Sequence, residues 1–338
     1  MARTLRASCK QLVRPDVLVT GSSGHLGHAL MLELPKHGFQ PLGLDRLPLE
    51  KGILSLTGSV ADRGLVSRVF KKYTSIRYVI HSAALHKPHV PTHGKQAFID
   101  TNLTGTLNVL EEAVKHSVEA FVFASTTNTF GSAVAYAAGA PSAWLNEETA
   151  CKPNNIYGAT KLAAENLCQL VHMESGMPTL ILRTARFFPG EDDDPRWRTE
   201  YNGISQNLKV NELLYRRVDI ADVVTAYVQA LKKAKVVGFS KYVVSAPPPF
   251  QPSGRLLAQL GRDAAPALAE LLPEYVESLR SVGWKLPARL DRVCDSSKAM
   301  RELDWRPVHT FQHAVLAVSQ GRGWNSELAR NVGERRYH

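Results

Sequence analysis

The run Asp16-Val17-Leu18-Val19-Thr20 passes directly into Gly21-Ser22-Ser23-Gly24-His25-Leu26-Gly27. A short apolar run that ends in glycines and continues into a helical pattern reads as a buried parallel strand turning into a helix. Many turns use glycine, and it is the strand before and the helix after that give these three their weight. The junction constrains the fold more than any other stretch of the chain, because parallel strands need crossover helices and therefore a layered α/β architecture.

The rest of the first half repeats the theme. A helix is expected from about 24 to 34, where Pro35 helps to end it. Residues 39–44, 77–81, 120–124 and 178–182 read as further strands. Between them, 96–116 carries Leu103, Leu107, Leu110 and Val114 at helical spacing, and 155–171 forms another helix. Strands alternating with helices predict right-handed βαβ units and a doubly wound parallel sheet of Rossmann-like α/β class. The expected organisation is an N-terminal extension over 1–15, a dinucleotide-binding domain over 16–185, and a smaller C-terminal substrate-covering region over 186–338. Within the last, 186–216 reads as loop, while a helix at 219–231 and a strand at 241–244 return 217–245 to the sheet.

Composition limits the alternatives. The chain has 338 residues, 44% hydrophobic and 21% charged, which suits a large buried core. No apolar run reaches about 18 residues, so no membrane span is expected. Cys9, Cys151, Cys168 and Cys294 lack metal or disulfide spacing and read as reduced thiols. The net charge of +10 gathers partly at the ends, in Arg3, Arg6, Lys10 and Arg14 and in Arg330, Arg335 and Arg336. Without a basic helix bearing aromatics, it argues for solvated termini and no nucleic-acid partner. A cytoplasmic protein is expected; a short targeting segment in the first 14 residues is the lesser alternative.

The glycines carry chemistry as well as shape. Gly21 permits a tight turn, Gly24 lets a pyrophosphate approach the backbone, and Gly27 lets the helix pack against the sheet. The helix N-terminus, with Ser23, His25 and Leu26, offers N–H groups to phosphate. Asp45, about 20 residues on at the end of the second strand, fits the acid that binds an adenosine ribose diol. It favours NAD over NADP, although the neighbouring Arg46 is a guanidinium that a 2′-phosphate would also find.

Tyr157-Gly158-Ala159-Thr160-Lys161 adds an acid–base pair, since residues four apart on a helix share a face. A phenol near pKa 10 is a poor base at neutral pH. An ammonium about 4 Å away contributes roughly 4 kcal/mol at an effective dielectric of 20, so Lys161 is expected to lower Tyr157 by up to about three units. A hydroxyl that donates to the reacting oxygen is expected in Ser125, Thr126 or Thr127, just past the 120–124 strand. The spacing alone does not choose among the three.

These motifs together resemble the extended short-chain dehydrogenase/reductases of the NAD-dependent epimerase/dehydratase family, over about residues 16–235. A looser echo runs from Asp295-Ser296-Ser297-Lys298 to Leu303-Asp304-Trp305-Arg306-Pro307. The resemblance implies Gly21, Gly24 and Gly27 at the pyrophosphate, Asp45 at the ribose, and Ala83 and Ala84 beside the cofactor. It implies Thr126 as the family hydroxyl, Tyr157 as base and Lys161 as ribose anchor. Asn102 takes the place of a buttressing asparagine, and Arg183 reads as structural. The family's acid near the adenine falls in Gly58-Ser59-Val60-Ala61-Asp62, which leaves Asp62, with Val60, for that contact. Where sugar-nucleotide epimerases place a diphosphate-gripping arginine, this chain has Glu212, with Arg216 and Arg217 close by but out of register. The segment 186–194 departs as well.

The expected activity is NAD-dependent reversible hydride transfer at a secondary carbinol, on a nucleotide sugar and of the epimerase type. A simple dehydrogenase or ketone reductase acting on a sugar acid or small metabolite is the runner-up, and a non-catalytic NAD sensor the third reading. His86, Thr127, Arg186 and Arg217 are the candidate substrate contacts. His81, His86, His89 and His93 lack metal-ligand spacing, and the acidic run 191–194 reads as solvated, so no metal is expected. A homodimer through helices 96–116 and 155–171 is a further implication of the resemblance.

Overall fold

The computed structural model describes residues 14–134, 139–188, 201 and 205–335. Cys9, most of the expected N-terminal extension, and the acidic run 191–194 lie outside the described residues.

Seven parallel strands form the central sheet: β1 (Val17–Thr20), β2 (Pro41–Asp45), β3 (Ser55–Thr57), β4 (Tyr78–His81), β5 (Ala120–Thr126), β7 (Thr179–Thr184) and β8 (Phe239–Val244). Their order is β3-β2-β1-β4-β5-β7-β8. The chain therefore winds outward in one direction from β1 and then resumes on its other side at β4. That reversal opens a crevice at the strands' carboxyl ends, where such sheets bind ligands. A separate two-stranded parallel pair joins β6 (Ala143–Leu145) to β9 (Arg292–Cys294).

Both faces of the sheet are covered, which is why its strands are continuously apolar rather than alternating. Val17, Leu18 and Val19 of β1 are all fully buried, and each such side chain contributes about 1.5–3 kcal/mol. On one face lie α1 (His25–Glu33) and the long helix Ile220–Val237. On the other lie α2 (Arg63–Lys72), the segment from α3 (Lys95–Phe98) to α4 (Gly105–Lys115), and α5 (Ile156–Ser175). A third cluster, which includes Leu214, Phe250, Leu268, Leu290 and Phe311, gives the C-terminal residues a core of their own.

The expected strands and helices are present with shifted ends; β5 runs two residues further than expected and α5 extends to Ser175. Two differences matter. The helix expected over 96–116 is interrupted by a π-helical turn, Ile99–Thr104, which turns Asn102 fully inward. The segment 186–216 is not all loop, because α6 (Ser205–Glu212) lies within it. Its buried face includes Asn207 and Asn211, whose amides both donate to the Lys285 carbonyl. Polar residues on the inward face hide a helix from any search for apolar periodicity. The helix Ile220–Val237, here α7, then leads to β8 at the sheet's edge.

Candidate active site

The glycine turn joins β1 to α1 at the crevice. Gly21 has φ +72°, and a Cβ there would lie 2.6 Å from the Ala83 backbone nitrogen. The turn is thus pressed against the chain leaving β4. A Cβ on Gly27 would fall 1.9 Å from the Gly21 carbonyl oxygen, so any side chain would push α1 off the turn. Gly24 differs: a Cβ there would meet only the Gly21 oxygen, at 3.3 Å. It is exposed and caps α1 without any side-chain acceptor. An open backbone at a helix N-terminus is the cradle a pyrophosphate requires.

Asp45 reaches this turn from the end of β2, where its Oδ2 accepts from the Ser23 N–H at 2.9 Å and its Oδ1 from Leu47. The carboxylate therefore lies beside the glycine turn. Arg46 is exposed next to it, and Ala83 and Ala84 are half-buried. Asp62 caps α2, its exposed carboxylate accepting from the Leu65 N–H. Val60 is buried and its carbonyl accepts from Asn108. His25 is buried at the start of α1 and stacks on Phe187, with ring centres 5.9 Å apart. Burial holds it near pKa 4 and neutral, with Arg335 and His28 adding to the shift. Leu26 is buried beneath it.

Tyr157, on the first turn of α5, and Thr126, the last residue of β5, are each 7% exposed. The Thr126 oxygen accepts from the Asn128 N–H. Asn155 caps α5 through its bond to Gly158 and so fixes the turn that presents Tyr157. Geometry separates the three candidate hydroxyls. Ser125 donates to Glu165 at 2.6 Å in the interior, Thr127 begins the following turn, and Thr126 ends β5 with its hydroxyl oxygen accepting from the Asn128 N–H.

Lys161 follows one turn after Tyr157 and is 2% exposed. Its Nζ lies 3.9 Å from the ring centre of Phe123. Burial lowers its pKa to about 7, against the opposing pull of Cys168 and Glu165. The expected lowering of Tyr157 by this ammonium is not what the protein does. Burial pushes Tyr157 up to about 12, opposed by the Thr126 hydroxyl, and desolvation of the phenolate outweighs any help from Lys161.

Asn102 joins the two halves of the site. Its amide pairs with both backbone groups of Leu85 and donates to Thr160 at 3.1 Å, tying the loop after β4 to α5. On that loop, His86 places Nδ1 3.4 Å from the Tyr157 hydroxyl. The other histidines are structural. His81 is fully buried, with its ring nitrogens bonded to Thr20 and Thr106, and His89 accepts from the His86 N–H. His93 is bonded to Thr92. Among the described residues no group of three or more histidine, cysteine, aspartate or glutamate side chains converges as a metal site.

Arg217 is not placed to grip a substrate. It is 2% exposed, donates to Glu212 at 2.7 Å and binds the Phe188 carbonyl. Glu212 is fully buried; burial alone would raise its carboxyl, but Arg217, then Arg216 and Arg186, hold it at about 2. A buried charge needs a partner, and Glu212 takes Arg217 for that purpose. Arg186 is half-buried, 4.0 Å from the same carboxylate. Sequence reasoning missed the network under the site, in which Arg183 grips Glu165 through Nε and Nη2 while Ser125 shares the same carboxylate. The spacing of Glu165, four residues past Lys161 on the same helix face, was the available signal.

Comparison with known proteins adds an independent line. A family model described as NAD dependent epimerase/dehydratase family matches residues 17–244. A UDP-glucose 4-epimerase of Rhizobium meliloti (strain 1021) is 30% identical over 174 residues, covering 50% of each chain. A UDP-glucose 4-epimerase of Homo sapiens is 33% identical over 134 residues, covering 34% of this chain and 38% of that one. The chain spans about half or less of the length of these relatives. Among solved structures, the UDP-glucose 4-epimerase of Thermotoga maritima with UDP-glucose superposes with a TM-score of 0.60 at 20% identity, covering 90% of this chain and 97% of the other. That of Brucella ovis in complex with NAD gives 0.60 at 19%, over 88% and 94%. At such identities the structural likeness speaks for the fold.

Proposed function

We propose, for a chain that belongs to the NAD-dependent epimerase/dehydratase family, that it uses NAD to move a hydride reversibly at a secondary carbinol of a nucleotide sugar, as an epimerase. The observation that carries this reading is the placement of Tyr157 on the first turn of α5, one turn before the buried Lys161, with Thr126 at the carboxyl end of β5. Family relatives named UDP-glucose 4-epimerases support the substrate class. Neighbours solved with NAD support the cofactor, and Asp45 beside the glycine turn supports NAD rather than NADP.

Each residue has a part. Gly21, Ser23, Gly24, His25, Leu26 and Gly27 would hold the pyrophosphate, with Asp45 at the adenosine ribose and Ala83 and Ala84 beside the rings. Bound NAD supplies a two-electron hydride acceptor and a positive charge near Tyr157. Tyr157 moves the proton of the carbinol oxygen, Thr126 donates to that oxygen as negative charge builds, and Lys161 holds positive charge beneath them. His86, Thr127 and Arg186 remain the candidate substrate contacts. Pairing of two copies through α4 and α5 belongs to the same proposal, and α5 leaves Leu170 and Met173 exposed. No helix among the described residues is long and apolar enough to cross a membrane.

One observation favours a second reading. With Arg217 committed to Glu212, a smaller substrate without a diphosphate suits the site, and the chain would then act as a dehydrogenase or ketone reductase. Incubation with NAD and UDP-glucose or UDP-galactose separates the two. Isomer without net NADH supports the epimerase. Stoichiometric NADH, with these sugars or with a panel of sugar acids and secondary alcohols, supports the dehydrogenase.

A further inference from the structure

The loop after β2, residues 46–54, is held at two places. At its start the Ser23 hydroxyl donates to the Leu47 carbonyl at 2.7 Å, beside the bond from the Ser23 N–H to Asp45. Further along, Glu50 Oε1 accepts from Arg335 Nη2 at 3.1 Å, a tie between residues 285 positions apart. The helix Glu327–Val332 brings Arg335 there. Ser326 caps that helix by accepting from the Ala329 N–H, and its own N–H donates to Asp219 at 2.9 Å. The helix packs against α1 and α7. Val332 is buried in the same cluster as Leu30 and Met31 of α1, and Leu49 and Ile53 of the loop pack against that cluster. Gly333, at φ +61°, turns the chain out of the helix two residues before Arg335.

We propose that Arg335 and Glu50 are positioning residues for the cofactor, a clasp that holds the loop after Asp45 against the glycine turn and so tightens the binding of NAD. This rests on the proposed function, since the loop bears on NAD only if Asp45 meets the adenosine ribose. The loop begins one residue past Asp45, so a hold on residues 47–50 limits how far that carboxylate can swing. Ser23 supplies one hold from the turn itself. Arg335 supplies the other, anchored on α1 and α7 through its helix, by a route that does not run through β2. Its guanidinium adds to burial in holding His25 and His28 of α1 below the ordinary histidine range, so it lies beside the helix that leaves the glycine turn. A loop already ordered before the cofactor arrives removes part of the ordering cost of binding. The pair is partly exposed, Arg335 at 26% and Glu50 at 69%, so its effect is modest, at most about five-fold in an equilibrium constant.

The test measures NAD binding without substrate, by calorimetry, beside hydrogen exchange of segment 46–54 in the NAD-free protein. Arg335→Ala and Glu50→Gln are each expected to raise the Kd for NAD by about three- to five-fold. Both are expected to speed exchange over 46–54 while β1 and β4 exchange as in the parent. The charge-reversed pair, Glu50→Arg with Arg335→Glu, is expected to bring both readings back towards the parent. Glu50→Gln separates the clasp from simple charge attraction. If Arg335 served only as a positive charge near the phosphates, removing the Glu50 charge would tighten NAD binding, and that result overturns the proposal. An unchanged Kd in both variants overturns it too, as does exchange that speeds up equally in β1, which would make the pair a general support of the fold. Glu50 is exposed on a loop, so its variant carries the test if Arg335→Ala misfolds. The functional reading is judged on the parent chain. A parent that binds no NAD ends that reading and this one with it, whereas a parent that binds NAD with a Kd the variants do not move ends only this one.

Discussion

The ammonium of Lys161 lies over the face of Phe123, with Nζ 3.9 Å from the ring centre. A charged amine is held there in the sheet's interior by an aromatic face and by the more distant carboxylate of Glu165. The arrangement keeps a positive charge in the interior, one turn from Tyr157, at a cost to the fold.

That cost is measurable. Lys161 has its pKa lowered to about 7, so between about 7 and its ordinary value of 10.5 the unfolded chain binds more protons than the folded one. Stability from this group therefore rises with pH across that window and is lowest below about 7. Replacing Lys161 by Met is expected to raise Tm by several degrees at pH 6–7, to flatten the rise towards pH 10, and to abolish turnover. Thermal melts over pH 6–10 check this; a lower Tm at pH 6 would be the wrong sign.

Ser125 and Thr126 are neighbours with separate duties. Thr126→Ala is expected to lower kcat by about 10²-fold with little change in stability, because it removes a donor to the reacting oxygen. Ser125→Ala loosens the buried Glu165 and is expected to cost about 1–2 kcal/mol of stability while sparing most of kcat. Urea titrations beside steady-state rates separate the two, and a Ser125→Ala enzyme without activity would reverse the assignment.

Glu165 is shared by Arg183, Ser125 and Lys241, and is fully buried. Glu165→Ala strands the Arg183 guanidinium, 4% exposed, without its partner. A loss of about 3–5 kcal/mol is expected, read as a lower denaturation midpoint. A loss below about 1 kcal/mol would show that the network is incidental.

The C-terminal segment is clamped to α7 by Asp222, which accepts from the Val308 and His309 N–H groups and pairs with the His309 ring at 3.3 Å. Burial alone would lower His309, but Asp222 and then Asp219 raise it overall. A raised histidine adds stability that is complete below its ordinary value of 6.5 and is lost as pH climbs through the folded pKa. Tm is therefore expected to fall between pH 6 and pH 8 in the parent chain, and to fall less in His309→Gln. Equal pH dependence in both would remove His309 from the account of the clamp.

The parallel sheet and the glycine turn with Asp45 beside it were legible in the sequence because both depend on local signals: apolar runs of strand length, glycines at a junction, and an acid at the next strand's end. Tyr157 and Lys161 were legible as a pair for the same reason. What their surroundings do to them was not, because desolvation is set by residues far apart in the chain. Phe123 lies under Lys161, while Thr126 of the same strand and His86 of the loop after β4 flank Tyr157. Glu212 also shows the limit. Its place in the sequence pointed to a missing arginine, and only the fold reveals Arg217 folded back onto it. Helix α6 escaped notice because Asn207 and Asn211 face inward to bind the Lys285 carbonyl.

The most direct measurement follows a deuterium placed on the C4 carbinol carbon of UDP-galactose, incubated with NAD and either the parent chain or Tyr157→Phe. The expected result is UDP-glucose that keeps the deuterium on carbon, without NADH accumulating, at a rate that falls by about 10²–10⁴-fold in Tyr157→Phe. Deuterium washed out to solvent, or an unchanged rate in Tyr157→Phe, would contradict hydride transfer governed by this tyrosine.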